Sequence, residues 1–391
     1  MKICPQNEEE VMSQTTTLRG PSLFIAQGWG KKGWSNLKEC AQSAAALGYK
    51  GLQATLWTGG AIDTKLAAES KTYCDEQQGI ATGEGCPIVE LANHVEGQLM
   101  RCGTAYRPQF RAFAPEEMGD DWNAISQWAA YRMKLSASAA RNFGFDRLAA
   151  FPGTSIFHTM YEWPQRPKGL VTAAFNALAA AWRPVFEHGD EVGVAYAFEL
   201  HPMEDLMDGS TFNRFKRHTG NRKSAKILLD LSHRKVAACP QDAMEQFIRN
   251  HAEDIAMFHV KDGEFIATAE SDAYGSFLPW SERPGCFRST GDGQIDYQRI
   301  FDLLGRELKL GLWATVEWED CRGKGWTQGT REAVHFVNAW LNQTPPPAKT
   351  MPEASGETFD DFVGGGEANP VLLAEILGIS VDQVNTEEPA A

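Results

Sequence analysis

Eight short apolar runs, ordered along the chain and interleaved with segments of helical periodicity, limit the folds open to this sequence. The runs are Ser22–Gln27, Leu52–Trp57, Pro87–Asn93, Arg147–Phe151, Gly193–His201, Ala225–Asp230, Ile255–Val260 and Leu312–Trp318, and each reads as a strand. Helical patterns cover Trp34–Leu47, Trp122–Phe143, Leu170–Gly189, Met244–Asn250, Tyr297–Leu308 and Arg331–Gln343. In the first helix Leu37, Cys40, Ala41, Ala44 and Leu47 supply the apolar positions, and Gly48 ends it as glycine ends many helices. Strands alternating with helices build a parallel sheet, because parallel neighbours need a crossover connection. Eight is also the number that closes such a sheet on itself. The expected fold is α/β, a (β/α)8 TIM barrel with a C-terminal extension. A doubly wound open sheet is the alternative, but no G-x-G-x-x-G follows the first strand to support a nucleotide-binding version.

The chain has 391 residues, which suits two or three average domains or one barrel with insertions. The expected division is an N-terminal arm over 1–20, the barrel over 21–345, and a Pro-rich linker and tail with one short helix over 346–391. The tail is too short for a core of its own and is expected to pack on the barrel or on a neighbouring subunit of a homo-oligomer. A net charge of −14 repels a polyphosphate backbone and an anionic bilayer, so neither nucleic acid nor membrane is an expected partner. The N-terminal residues have no apolar core and are acidic at 8–10, unlike a secretory signal or anchor. The eight cysteines are scattered without a CxxC pair and read as reduced thiols of a cytoplasmic protein.

Barrel chemistry sits where strands run into the loops that follow them. The third strand ends at His94. The fifth ends at Glu199, with His201 beyond it. The sixth ends at Asp230, followed by Ser232 and His233. The seventh ends at His259, followed by Lys261 and Asp262, and the eighth at Glu317, with Glu319 next but one. Charged side chains are rarely buried unless paired or bound to metal. A histidine or carboxylate closing four consecutive apolar strands needs a shared reason. A divalent cation neutralising Glu199, Asp230 and Glu317, with His259 as nitrogen ligand, supplies one; a buried ion-pair network with Lys261, Arg288 or Arg234 is the alternative. Three carboxylates and one imidazole suit Mn²⁺ first, with Mg²⁺, Co²⁺ or Zn²⁺ also compatible.

These strand ends resemble the sugar phosphate isomerase/epimerase superfamily, the xylose-isomerase-like barrels. The matching motifs, in order, are N-H-V-E-G-Q at 93–98, F-P-G-T-S at 151–155, F-E-L-H-P at 198–202, L-D-L-S-H at 229–233, F-H-V-K-D at 258–262, G-D-G-Q-I-D at 291–296 and V-E-W-E at 316–319. F-D-D-F near 359–362 also resembles tails of bacterial members. The resemblance implies metal ligation by Glu199, Asp230, His259 and Glu317, with Glu199 and Glu317 also serving as acid and base. It implies that His233 and Lys261 hold substrate oxygens. His94, His201 and Arg288 are further substrate-binding candidates, as are Trp57 and Trp318, because each of these tryptophans lies at a strand end. The chain departs from the family at Gln53, where relatives carry glutamate, at Arg234–Ala237, and in the long 266–287 insertion.

The expected function is a divalent-metal-dependent keto-sugar isomerase or epimerase that abstracts a proton α to a carbonyl through an enediolate. The alternative is a lyase or dehydratase performing β-elimination on a 3-keto-glycoside or related keto-sugar, for which Trp163 and Trp280 as well as Trp57 and Trp318 leave room. A non-catalytic sugar-binding barrel and an endonuclease stand last. The endonuclease needs a further Asp-x-His after the seventh strand, and no histidine lies between His259 and Glu317.

Overall fold

The computed structural model describes residues 15–353, 369–378 and 380–384. The first fourteen residues of the expected N-terminal arm and the F-D-D-F segment lie outside the described residues, as does most of the linker past 353.

Strands β1 (Arg19–Phe24), β2 (Gly51–Thr55), β3 (Ile88–Asn93), β4 (Arg147–Ala150), β5 (Ala195–Glu199), β6 (Ala225–Asp230) and β7 (Ile255–Val260) appear in chain order. A short hairpin, β8 (Asp262–Phe265) and β9 (Gly285–Arg288), precedes β10 (Trp313–Val316). The first seven strands and β10 form a closed barrel in the order β1-β10-β7-β6-β5-β4-β3-β2, and all its ladders are parallel. The expected (β/α)8 barrel is the fold.

Alternation along each strand divides the buried side chains into two sets. Leu23, Leu52, Leu91, Leu148, Phe198, Leu229, Phe258 and Val316 belong to the large core between strands and helices. Phe24, Ala92, Ala149, Ala197, Leu228 and Met257 form a second, smaller cluster that fills the barrel. The residue two positions after each of the last three inner residues is Glu199, Asp230 or His259, so inward parity carries the strand-end groups to the mouth.

The helices follow their local signals. Asn36 accepts from Glu39 N at 3.0 Å to cap Leu37–Leu47, and Gly48 ends it at φ 101°. Asp121 caps Trp122–Phe143, and Gly144 ends it at φ 88°. Helices Thr64–Glu69, Lys71–Gly83 and Gly209–His218 lie outside the sequence expectation. Each buries only two residues, a faint apolar period. The final barrel helix begins at Trp326 instead of Arg331, and Tyr297–Leu308 resolves into an α-helix to Asp302 and a π-turn over Leu303–Glu307. The first strand starts at Arg19 instead of Ser22, because its ladder with β10 begins at Arg19 and its last residue paired with β2 is Phe24.

Past the barrel the chain is tied to the last helix. Glu353 N donates to Gln328 Oε1 at 2.8 Å, Gln328 Nε2 to Met351 O at 2.9 Å, and Thr350 Oγ1 to Glu332 Oε1 at 2.7 Å. The tail helix Pro370–Leu377 lies against the Arg107–Phe110 turn and buries Ala374.

Candidate metal centre

Glu199, Asp230, His259 and Glu317 are all buried at the C-terminal ends of β5, β6, β7 and β10, and one ligand atom from each lies within 4.8 Å of the others. Ladder register makes this convergence: Asp230 pairs with His259 across β6–β7, and Thr315, two residues before Glu317, pairs with His259 across β7–β10. A second tier lies above, built by the same parity: His201 is two residues past Glu199, Lys261 two past His259, and Glu319 two past Glu317. His201, His233 and Glu319 form a second group of potential ligands within 4.8 Å.

Hydrogen bonds and ion pairs interlock the two tiers. Glu199 receives His233 Nε2 at 2.9 Å on one oxygen and has His94 Nε2 at 3.2 Å from the other. Lys261, with a side chain wholly removed from solvent, puts Nζ 2.9 Å from Glu317 and 3.2 Å from Asp230 and also contacts Glu319. Its ammonium sits 4.3 Å from the centre of the Phe287 ring. The Phe287 ring meets His233 at 5.1 Å as well. Phe287 arrives on β9, so the long insertion reaches the site through its hairpin. Asp230 Oδ1 accepts from Ser232 N and Oγ at 2.8 and 2.6 Å, while buried Oδ2 makes no hydrogen bond.

Burial and charge pull the titrations apart. Burial pushes Glu199 up, but bonds from His233 and His94 and the Lys261 charge hold it well below the usual carboxylate range. Glu317 is likewise depressed, the charges of Lys261 and His259 outweighing burial and the repulsion of Glu199. Asp230 goes the other way, to about 7, because burial and its anionic neighbours Glu199 and Glu317 outweigh Lys261. His259 rises to about 9 against its burial under the pull of Glu317, so binding a cation through that ring displaces a proton. His233 falls to about 3 by burial and proximity to Lys261, which keeps its imidazole neutral.

Three buried carboxylates and an imidazole make a donor set that fits a divalent cation, and Asp230 Oδ2, which makes no hydrogen bond, faces the Lys261 charge 3.2 Å away. Lys261 belongs to the network as well, so the two sequence readings, ligand cluster and buried ion-pair network, meet in one place.

The other expected site residues divide. His94 and His201 border the centre, His94 edge-on to Phe151 at 4.7 Å and His201 against the His233 ring at 4.2 Å. Trp57 is half-buried beside the inner cluster and meets Phe24 edge-on at 6.3 Å. Trp318 has the outward parity. Its indole N–H donates to Lys324 O at 2.9 Å and its ring packs on Trp326 in the outer core. Arg288 lies on β9, where its guanidinium pairs with Glu264 at 3.3 Å. Sequence reasoning passed over Gln27, whose Nε2 reaches Glu317 Oε1 at 3.3 Å, and Gln53, whose Oε1 accepts from His259 Nε2 at 2.8 Å. In the sequence Gln53 reads only as a departure from the family pattern; its inward parity is the signal that places it here.

Comparison with known proteins agrees with this architecture. The xylose isomerase-like TIM barrel profile matches residues 41–340. The chain belongs to that family. No curated protein matches the sequence. Among solved structures it is similar to a xylose isomerase-like TIM barrel protein from Mycobacterium smegmatis in complex with magnesium, at 13% identity and TM-score 0.55 over 84% of this chain and 98% of that one. It is also similar to 3-keto-D-glucoside 4-epimerase from E. coli, at 14% identity and TM-score 0.51 over 79% and 95%. A third is the IOLI protein with a bound zinc atom, at 13% identity and TM-score 0.53 over 84% and 100%. At these identities the likeness is one of fold.

Proposed function

We propose that this barrel is a keto-sugar epimerase or isomerase that depends on one divalent cation, Mn²⁺ by preference, held by Glu199, Asp230, His259 and Glu317. The observation that carries the reading is the placement of two depressed carboxylates, Glu199 and Glu317, on β5 and β10 around a shared donor cluster. The magnesium and zinc in two solved relatives of the same fold support a divalent ion. A bound cation would supply Lewis-acid stabilisation of the negative charge that develops when a carbon α to a carbonyl loses its proton. The chain's own groups do the rest. Strands β5 and β10 are separated by β6 and β7 in the ring, so Glu199 and Glu317 approach a sugar from different sides, one taking the proton and the other returning it. Neutral His233 and cationic Lys261 hold substrate oxygens from the upper tier, with His94 and His201 at the border. The outward packing of Trp318 on Trp326 favours a supporting role for it over contact with substrate.

β-Elimination on a larger glycoside is the second reading. The loop after β4 and the loop between β8 and β9 meet where Tyr161 and Tyr274 cross at 6.1 Å, and they expose Trp163 and Phe277, aromatic surface that would suit a glycoside.

Glu199→Gln and Glu317→Gln, metal-loaded and followed by NMR in D₂O with a panel of ketoses and 3-keto-glycosides, separate these mechanisms. An epimerase loses turnover in both variants, while one retains α-proton exchange with solvent. A lyase loses exchange and elimination together in one variant only. Parent-like turnover in both would remove the glutamates from proton transfer and overturn the mechanism.

A further inference from the structure

The barrel interior beneath the metal cluster is polar along one continuous path. His259 turns Nδ1 toward Glu317 Oε2, 3.1 Å away, and Nε2 toward Gln53 Oε1, 2.8 Å away. Gln53 Nε2 donates to Glu90 Oε2 at 3.2 Å, and Thr315 Oγ1 donates to the same oxygen at 2.6 Å. Ser22 Oγ lies 2.6 Å from Thr315 Oγ1. The ladders bring these side chains together: Gln53 is level with Glu90, Thr315 with His259, and Ser22 with Thr315. All five are buried.

Polar groups at the centre of a barrel cost desolvation unless every one is satisfied, and a satisfied chain has a direction. Burial lifts Glu90 to about 7 while the bonds from Thr315 and Gln53 pull it down, and above that pH its carboxylate only accepts, as the donors Gln53 Nε2 and Thr315 Oγ1 on Oε2 require. Glu90 therefore draws the amino end of the Gln53 amide toward itself, and the amide oxygen is left facing His259. That oxygen in turn requires a proton of His259 on Nε2, so the proton a cation displaces is the one on Nδ1, the nitrogen that faces Glu317 and the cluster. Glu90 neither reaches the cluster nor touches the reacting groups; its lower side borders a cavity of about 550 Å³ at the opposite, N-terminal end of the barrel, lined also by Arg19, Arg147 and Trp313.

We infer that Glu90 is a positioning residue for the metal centre: through Gln53 it sets which nitrogen His259 offers to the cation and how strongly. The inference rests on the metal-dependent reading above but is independent of substrate and reaction.

The test is cation affinity, measured on the purified full chain by competition with a chromogenic chelator for Mn²⁺ and Zn²⁺, with no substrate present. Glu90→Gln keeps the size but lets the side chain offer either an oxygen or an amino group to Gln53. The Gln53 amide is then no longer oriented, and a donor meets the Nε2 proton in part of the population. Affinity is expected to fall about 10- to 100-fold. The reciprocal double variant Gln53→Glu/Glu90→Gln rebuilds the polarity, since the new amide donates to the new carboxylate, which accepts from His259. It is expected to bind within a few-fold of the parent, which loss of packing would not produce. If Glu90→Gln alone does not fold, the double variant carries the test in the same way. Parent-like affinity in Glu90→Gln, or a double variant as weak as the single one, overturns the inference and leaves the metal reading standing. A parent that binds neither cation overturns both.

Discussion

Replacing Lys261 by methionine tests the electrostatics of the whole centre. The substitution preserves most of the aliphatic stem and removes one charge. In the parent that charge lies 2.9 Å from Glu317 and 3.2 Å from Asp230, both buried, and also touches the partly exposed Glu319. Removing one partner of a buried ion pair costs about 3–5 kcal/mol, and an ammonium shared among three carboxylates belongs at the upper end, so about 5 kcal/mol is expected for the metal-free protein. Proton uptake relieves part of this. Asp230 already stands at about 7, raised by burial, Glu199 and Glu317 against the pull of Lys261, and without the ammonium it rises further. A carboxyl whose folded pKa is raised contributes stability that is full below its unfolded value and is lost as pH rises through the folded one. The penalty is therefore small at about pH 5 and largest above about pH 8. A divalent cation replaces the missing positive charge, so the variant gains more stability from Mn²⁺ than the parent does. Urea denaturation with EDTA and with saturating Mn²⁺, at both pH values, measures all three terms. The reasoning is refuted if metal-free Lys261→Met lies within about 1 kcal/mol of the parent at the higher pH, a difference ordinary for surface changes. Equal stabilisation of both proteins by Mn²⁺ would refute it too.

Gly293→Ala tests the loop that carries the G-D-G motif. A Cβ there would stand 2.2 Å from Asp262 Oδ1 and 2.5 Å from Gly263 O, inside the cage in which Gly263, Gly291, Gly293 and Ile295 donate backbone N–H groups to Asp262. Overpacking at a site with no room costs about 1–3 kcal/mol, read as a lowered midpoint in thermal denaturation; an unchanged midpoint would remove the cage from the account. Glu204→Gln tests a buried carboxyl outside the candidate metal centre. Burial, with Asp205 and Glu199 nearby, lifts Glu204 to about 8 although Gly153 N donates to it at 3.0 Å. The parent accordingly loses stability as pH rises through that value. The glutamine variant keeps an acceptor and carries no charge, so between about pH 7 and pH 9 it is expected to gain about 1–2 kcal/mol on the parent in urea titrations. Parallel pH profiles for the two proteins would contradict this assignment.

The eight barrel strands, their succession along the chain and four of the groups at the mouth were readable directly from the amino-acid sequence, because each depends on local chemistry. An apolar run of strand length is costly to leave in water, and Glu199, Asp230, His259 and Glu317 each close such a run with a group that is costly to bury alone. Gly48 and Gly144 mark helix ends through the backbone geometry of one turn. The parity rule extends further: with Glu317 inward, Trp318 must point outward, and Lys261 and Glu319 must share the side of His259 and Glu317.

What the tertiary structure alone decides is who meets whom across the ring. Gln53, Glu90, Thr315 and Ser22 read as unremarkable polar residues within apolar strands. They lie on four strands separated by up to 293 positions in the chain, and only the closed ladder register joins them beneath His259. The 266–287 insertion reads as a loop, because β8 and β9 are four residues each and gain strand character only by pairing with one another. That pairing carries Phe287 to Lys261 and His233. Residue type and spacing are properties of a segment, and a segment reveals its own period. Hydrogen bonds and buried charges are properties of pairs, and in a barrel the partner is chosen by the register of strands far apart in sequence.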